Sequence, residues 1–487
     1  MGKDDPGPRL PAHLLPLFGD QLSERAKSAL TRVLSGEAER LKTGRLGRAM
    51  ELSKLAVKGG SKMLAAKAKG AVGGETTGAG MELALEMLET FSQMRGLTMK
   101  LGQMLSYLDD ALPPEARKVL TLLQRDAPPM AYAEVEAVLT RELGDKRALI
   151  LDVEEKPIGA ASIGQVHRGR LADGTMVAIK VQYPGIDQAM QADLKNARII
   201  GLMKGMLFFR TDAEAILREL EERFLDECNY LKEADYQEAY RERFVGHPHI
   251  VVPKVHRELS TRRVLVTTYC PGKSFYQWLE SNPDEAARNL VTRLFYRFYI
   301  GSFYLDGLFN CDPHPGNYLF MDDGRVVFLD YGCARRYPSE RLKEWVSLCR
   351  ATFEDDRPAL HRLAVQMGFV AAQTDYDKEA FRDLMRYLYL PYLTEGPYHF
   401  AAHGPQDTFR LMFTENPNLF KLNMPSDAVF LNRIGFGLVS LWTQIGSSLD
   451  CRKYASAYFE GLDPDWPEDP QRGQAACLSS PNPNPKT

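Results

Sequence analysis

The segment Asn310-Cys-Asp-Pro-His-Pro-Gly-Asn317, followed after a hairpin by Phe328-Leu-Asp-Tyr-Gly332, constrains this chain more than any other stretch of it. An aspartate stands five residues before an asparagine, and two prolines and a glycine restrict the path between them. Tyr318 to Leu329 reads as strand, turn, strand, turning on Asp323-Gly324, and it delivers a second aspartate beside a glycine. Asn317 and Asp330 offer two oxygen donors suited to a hard cation, and Asp312 offers a carboxylate to orient an acceptor or attacking water. Taken singly, Asp312 and Asp330 are also what ordinary turns beside Pro and Gly contain. The ordered combination is what needs a reason.

Upstream lies a second pair of elements. Pro157-Ile-Gly-Ala-Ala-Ser-Ile-Gly-Gln-Val166 is a glycine-rich hairpin, and Val177-Ala-Ile-Lys180 is a strand carrying a lysine. Such a loop lets backbone N–H groups approach phosphates, and a lysine on the next strand reaches them. Kinases write the loop G-x-G-x-x-G-x-V, the catalytic loop H-R-D-x-x-x-x-N and the metal motif D-F-G. This chain has Gly159, Ala160, Ala161, Ser162, Gly164 and Val166 in the loop, Asp312 and Asn317 at the second spacing, and Asp330-Tyr331-Gly332. Ala161 replaces the middle glycine, and its methyl changes how closely the loop closes over phosphates. Four elements in the kinase order favour this reading over plain turns. On it, the loop residues and Lys180 bind ATP, Asn317 and Asp330 hold Mg2+, and Asp312 acts as base or positioner. A glutamate must orient Lys180, and Glu227 and Glu233 are the candidates. Six apart on one helix, they point to different faces, so only one can pair; Glu233 is preferred. His314, between two prolines, is expected to be a rigid-loop residue rather than a base.

Lys100-Leu-Gly-Gln103, then Leu112-Pro-Pro-Glu115 and Leu123-Gln124 to Pro129, resemble the Lys-x-Gly-Gln signature segment of the UbiB/AarF atypical kinases. The P-x-x-A-A-S-I-G-Q-V loop, the run from Val177 to Gly185 and the D-P-H-P-G-N loop are characteristic of the same family. The resemblance spans residues 80 to 345 strongly and extends to about 460 more loosely. It implies an α+β, bilobal protein-kinase-like fold with a helical N-terminal extension and a mostly helical C-terminal lobe. The extension would cover the place where a protein kinase holds its peptide. It further implies ATP binding and ATPase activity, with a role in isoprenoid quinone or lipid metabolism near membranes. Lys100 and Gln103 would project into the nucleotide cleft, with Lys100 meeting phosphate or Glu227. Two departures stand out: Glu227-Cys-Asn229 replaces the family's Glu-x-Asp, and the membrane-spanning tail of some bacterial members has no counterpart. After Gly332 there is no long activation segment and no A-P-E, which disfavours protein phosphorylation and leaves an ATPase or small-molecule kinase. A nucleotide-gated scaffold at a membrane surface, without turnover, is the competing reading.

Composition narrows the setting. A net charge of -3 gives no global pull toward nucleic acid. Seven scattered cysteines with no C-x-x-C pair argue against a disulfide framework or structural zinc and for a reducing, cytoplasmic compartment. The N-terminus lacks an apolar signal-peptide core. The most apolar runs, Ile199 to Phe209 and Val429 to Trp442, are interrupted by polar residues and too short to span a bilayer. Residues 13 to 70 read as a basic amphipathic helical region, either packed on its own domain or lying on an anionic membrane. Protein partners are not readable. The expected organisation is a basic helical region and linker (1–80), a helical extension (81–147), a kinase-like N-lobe (148–272), a helical C-lobe (273–462) and a disordered tail (463–487).

Overall fold

The computed structural model describes residues 129–161, 163–188, 226–400, 416–418, 421–423 and 425–466. The basic helical region, the run from Ile199 to Phe209 and most of the helical extension lie outside them. The chain forms two compact units: Met1–Ala131 with Gly159–Gln165 and Gln182–Phe208, and Tyr132–Ile158 with Val166–Val181 and Phe209–Thr487.

In the first unit, the described residues centre on Gln165, which is 1% exposed. Its side-chain amide takes both backbone groups of Met130, accepting from the N–H at 2.7 Å and donating to the carbonyl at 3.2 Å. The Tyr183 N–H donates to the Ile163 carbonyl at 3.0 Å.

The second unit opens with helix α1 (Tyr132–Leu143) and strand β1 (Ile150–Val153); β2 (Gly159–Ala161) lies in the first unit, and β3 (Gly164–Leu171) and β4 (Met176–Gln182) carry residues of both. After α2 (Tyr230–Arg243) and β5 (Ile250–Val251) comes β6 (Val264–Thr268). The first sheet has the order β1-β3-β4-β6, with β2 on β3. Its β3–β4 turn is where sequence puts it: Gly174 takes a φ of +89°, and the Asp173 carboxylate accepts from the Thr175 N–H at 2.9 Å. Along β4, Val177, Ile179 and Val181 are all 0% exposed, so Ala178 and Lys180 occupy the other face.

The remaining elements are β7 (Lys273–Ser274), α3 (Phe275–Glu280), α4 (Glu285–Tyr296), α5 (Ser302–Asp306), β8 (Leu308–Asn310), β9 (Tyr318–Phe320), β10 (Val326–Phe328), β11 (Ala334–Arg336), α6 (Ser339–Phe353), α7 (Arg357–Gln366), α8 (Lys378–Leu388), α9 (Ser426–Ile445) and α10 (Cys451–Phe459). A second sheet runs β5-β10-β9-β7. Ile250 and Val251 pair in parallel with Val326 and Val327 of this second sheet, and Val255 alone bridges to Thr267. A parallel ladder between distant segments leaves no local signal. Between α4 and α5 the helix widens into a π-turn, Arg297–Gly301. Arg297, fully buried, pairs there with Asp306 and Asp463. Chain order therefore continues past Leu462: Asp463 and Trp466, which composition assigns to the tail, are 1% and 6% exposed. The physical reason is Arg297, whose charge needs carboxylates in the core. Among the described residues no helix is long and apolar enough to cross a membrane.

Candidate active site

Lys180 is placed by the period of β4 and by pairing opposite Leu265 of β6. Its ammonium donates to both oxygens of Glu233, at 2.8 and 3.0 Å, and stands 3.5 Å from Oδ2 of Asp330. The Tyr230 ring lies 5.0 Å from Nζ. Glu233 reaches this point because α2 begins at Asn229, whose side chain accepts from the Leu231 N–H and caps the helix. The cap also separates the two glutamates. Glu227 lies before it rather than on the same helix, and accepts a hydrogen bond from the Cys333 thiol at 3.2 Å. Asn229, where the resembled family carries Asp, thus serves as a helix cap. Burial works against the Lys180 charge, but Asp330 and Glu233 outweigh it and hold the lysine protonated. Burial is also the largest influence on Glu233, with Asp330 adding to it, and its carboxyl is pushed above the usual value against the pull of Lys180.

The Asp312–Asn317 loop is two turns in succession. The His314 N–H donates to the Asp312 carbonyl at 2.9 Å, closing a three-residue turn around Pro313. The Asn317 N–H then donates to the His314 carbonyl at 2.9 Å, with Pro315 and Gly316 at the corners. His314 caps this second turn by accepting from the Gly316 N–H through Nδ1 at 3.1 Å. The Asn317 amide spends its N–H groups on Asp312, at 3.0 Å to the carbonyl and 3.3 Å to Oδ2. That leaves its oxygen as the acceptor. Asp312 itself is buried.

Asp330 holds a left-handed backbone, φ +58°, and Oδ1 accepts from the Gly332 N–H at 3.1 Å. Tyr331 packs as a phenylalanine would, fully buried, with its hydroxyl donated to the Phe328 carbonyl at 2.9 Å. One residue that sequence reasoning passed over ties the two motifs together. Asn310 donates to the Asp330 carbonyl and accepts from the Asp312 N–H, each at 3.1 Å. It occupies the place of the histidine in H-R-D, so the kinase spacing already pointed to it.

The structure therefore brings Lys180, Glu233 and Asp330 together, and Asp312 with Asn317, while Glu227 sits beside Cys333. Val166 lies in β3 of the same unit. Gly159, Ala160, Ala161 and Gly164 belong to the first unit, and Ser162, Lys100 and Gln103 lie outside the described residues. A charged lysine, two carboxylates and an amide oxygen on rigid turns form a donor set for binding polyphosphate with a hard cation.

The ABC1 atypical kinase-like domain family matches residues 122–364. The atypical kinase COQ8B, mitochondrial, of Rattus norvegicus is 30% identical over 331 residues, 66% of this chain and 61% of the relative. Its namesake in Danio rerio is 28% identical over 375 residues, 74% of this chain and 58% of the relative. The chain thus spans about three fifths of the length of these two curated relatives. Among solved structures, the Rv3197–erythromycin complex from Mycobacterium tuberculosis matches with a TM-score of 0.56 and 26% identity, covering 80% of this chain and 97% of the other.

Proposed function

The chain belongs to the ABC1 atypical kinase-like family, and from that premise we propose that it binds ATP with magnesium and acts as an ATPase or small-molecule kinase supporting isoprenoid quinone or lipid metabolism. The observation that carries this reading is the clasp of Lys180 by Glu233 with Asp330 within 3.5 Å, beside the doubly turned Asp312–Asn317 loop. Lys180 would hold the ATP phosphates, kept extended and charged by Glu233. The Asn317 oxygen and the Asp330 carboxylate would hold the cation. Among the described residues no group of three or more His, Cys, Asp or Glu could hold a metal by itself, so such a cation would share its shell with phosphate oxygens. Magnesium would there neutralise charge between the phosphates. Asp312, buried and fixed through its backbone, would orient the attacking hydroxyl or water.

The connection after Gly332 supports a small acceptor. Only β11 and a short turn separate it from α6 at Ser339, so there is no extended segment to grip a peptide. The basic region near the N-terminus would be the part of the chain that meets an anionic lipid surface.

The test is magnesium-dependent ATP hydrolysis by the purified chain, with and without anionic liposomes, beside Asp330→Asn. Turnover that disappears in Asp330→Asn is the expected result. Tight ATP binding with no turnover in either condition would overturn the enzyme and leave a nucleotide-gated scaffold.

A further inference from the structure

Arg297, Phe298 and Tyr299 are consecutive and 0%, 1% and 2% exposed. Each serves a different neighbour. Arg297 pairs with Asp463 and Asp306. Phe298 stacks on Phe328, ring centroids 3.9 Å apart, in the strand that leads to Asp330. The Tyr299 hydroxyl donates to the Asp312 carbonyl at 3.3 Å and shares a 2.8 Å hydrogen bond with the Tyr318 hydroxyl. These three directions come from the π-turn, whose extra residue shifts the helix face out of regular register. Gly301 keeps it possible: a Cβ there would lie 2.8 Å from Arg297 Cδ and 3.2 Å from Tyr458 Cζ.

The Asp312 carbonyl is the point on which the loop converges. His314 N–H and the Asn317 amide reach it from within the loop, and Tyr299 reaches it from a separate helical element. Burial drives the Tyr299 ionisation well above the ordinary tyrosine value, so its proton remains available as a donor.

We propose that Tyr299 is a positioning residue for the nucleotide site: its hydroxyl fixes the Asp312 carbonyl, against which the Asn317 amide is turned, and so sets how Asn317 presents its oxygen to a divalent cation. The proposal rests on the ATP–magnesium reading above. It also gives the π-turn a purpose beyond packing, since a regular helix would carry Tyr299 off the loop.

The experiment titrates Mg2+ against binding of a fluorescent ATP analogue by the full chain, with a parallel titration of the analogue in EDTA. Wild type, Tyr299→Phe, Tyr318→Phe and Asn317→Ala are compared. Tyr299→Phe keeps the ring and is expected to raise the half-saturating Mg2+ concentration about tenfold, the scale typical of residues that orient a metal ligand. Its affinity in EDTA should stay within about twofold of wild type, because the phosphate-binding lysine is untouched. Tyr318→Phe leaves the Tyr299–Asp312 bond in place and should shift the Mg2+ dependence less than Tyr299→Phe. Asn317→Ala sets the full loss on the same scale. An unchanged Mg2+ dependence in Tyr299→Phe overturns the proposal alone. An equal shift in Tyr318→Phe, or loss of binding in EDTA, also overturns it, because the role would then be general packing. Should Tyr299→Phe fail to fold, a Tyr318→Phe shift as large as that of Asn317→Ala overturns the proposal, and a smaller one supports it. A wild-type chain that binds no nucleotide removes the reading of the site and the proposal together.

Discussion

Asp330 sits at a φ of +58°, a backbone that costs a non-glycine residue roughly 1–3 kcal/mol and that asparagine and aspartate tolerate best among side-chain-bearing residues. Asp330→Asn should therefore fold with a stability within about 1 kcal/mol of wild type while losing magnesium-dependent function. Urea denaturation beside nucleotide binding checks both halves. Glu233 gives a pH signature. Its carboxyl is raised by burial and by Asp330, whereas Lys180 is raised and stays charged. As pH falls, Glu233 is neutralised before an exposed glutamate would be, and its clasp on Lys180 loosens. ATP affinity should thus decline on the acid side, and Glu233→Gln should show low affinity with no acid limb; a limb that survives the substitution would falsify the assignment. At this scale, much of the site was legible. Lys180, Asp312, Asn317 and Asp330 are read from spacing because turns and strand period place them locally. The Glu227–Glu233 ambiguity was not resolvable, since it depends on where α2 begins, and Asn229 capping decides that. Tyr299 left no signal because a π-turn has no sequence period of its own.

Helix α9 shows what an element contributes from far along the chain. Its first turn is anchored by Asp427, which accepts from Arg341 at 2.7 Å, from Trp345 at 3.1 Å and from the Tyr337 hydroxyl. Further along, Gly437 packs on the loop: a Cβ there would meet Pro313 Cγ at 2.5 Å, whereas one at Gly435 meets nothing within 4 Å. Two substitutions with the same helix propensity should therefore diverge. Gly435→Ala should stabilise by about 0.5–1 kcal/mol. Gly437→Ala should lose about 1–3 kcal/mol to overpacking and displace the Asp312–Asn317 loop. Chemical denaturation of both variants decides it, and equal effects would remove the contact between α9 and Pro313 from the account. Hairpins such as β3–β4 and β9–β10 were readable because Asp173-Gly174 and Asp323-Gly324 carry the turn chemistry. The β5–β10 and β8–β11 pairings were not, because their partners lie far apart in sequence.

Across the whole molecule, stability depends on a polar cluster in the middle of an aromatic core. Arg297 joins Asp306 and Asp463, Asp306 also holds Arg243, and Trp466 lies 5.6 Å from the Arg243 guanidinium. Asp463→Ala leaves Arg297 with one carboxylate where it had two, and should cost about 3–5 kcal/mol, measured by urea denaturation. A loss under 1 kcal/mol would mean that the cluster is solvated or easily rearranged. Reading Asp463 as part of a polar tail was reasonable from composition, since nothing near it in sequence announces a buried partner 166 residues away. That separation also has a meaning in time. A ribosome adding roughly 5–20 residues per second needs about 10–30 s to make the intervening chain. Through that interval Arg297 has Asp306 but lacks its second carboxylate, Asp463. The buried cluster is thus completed only late in synthesis, after the kinase-like half has been translated.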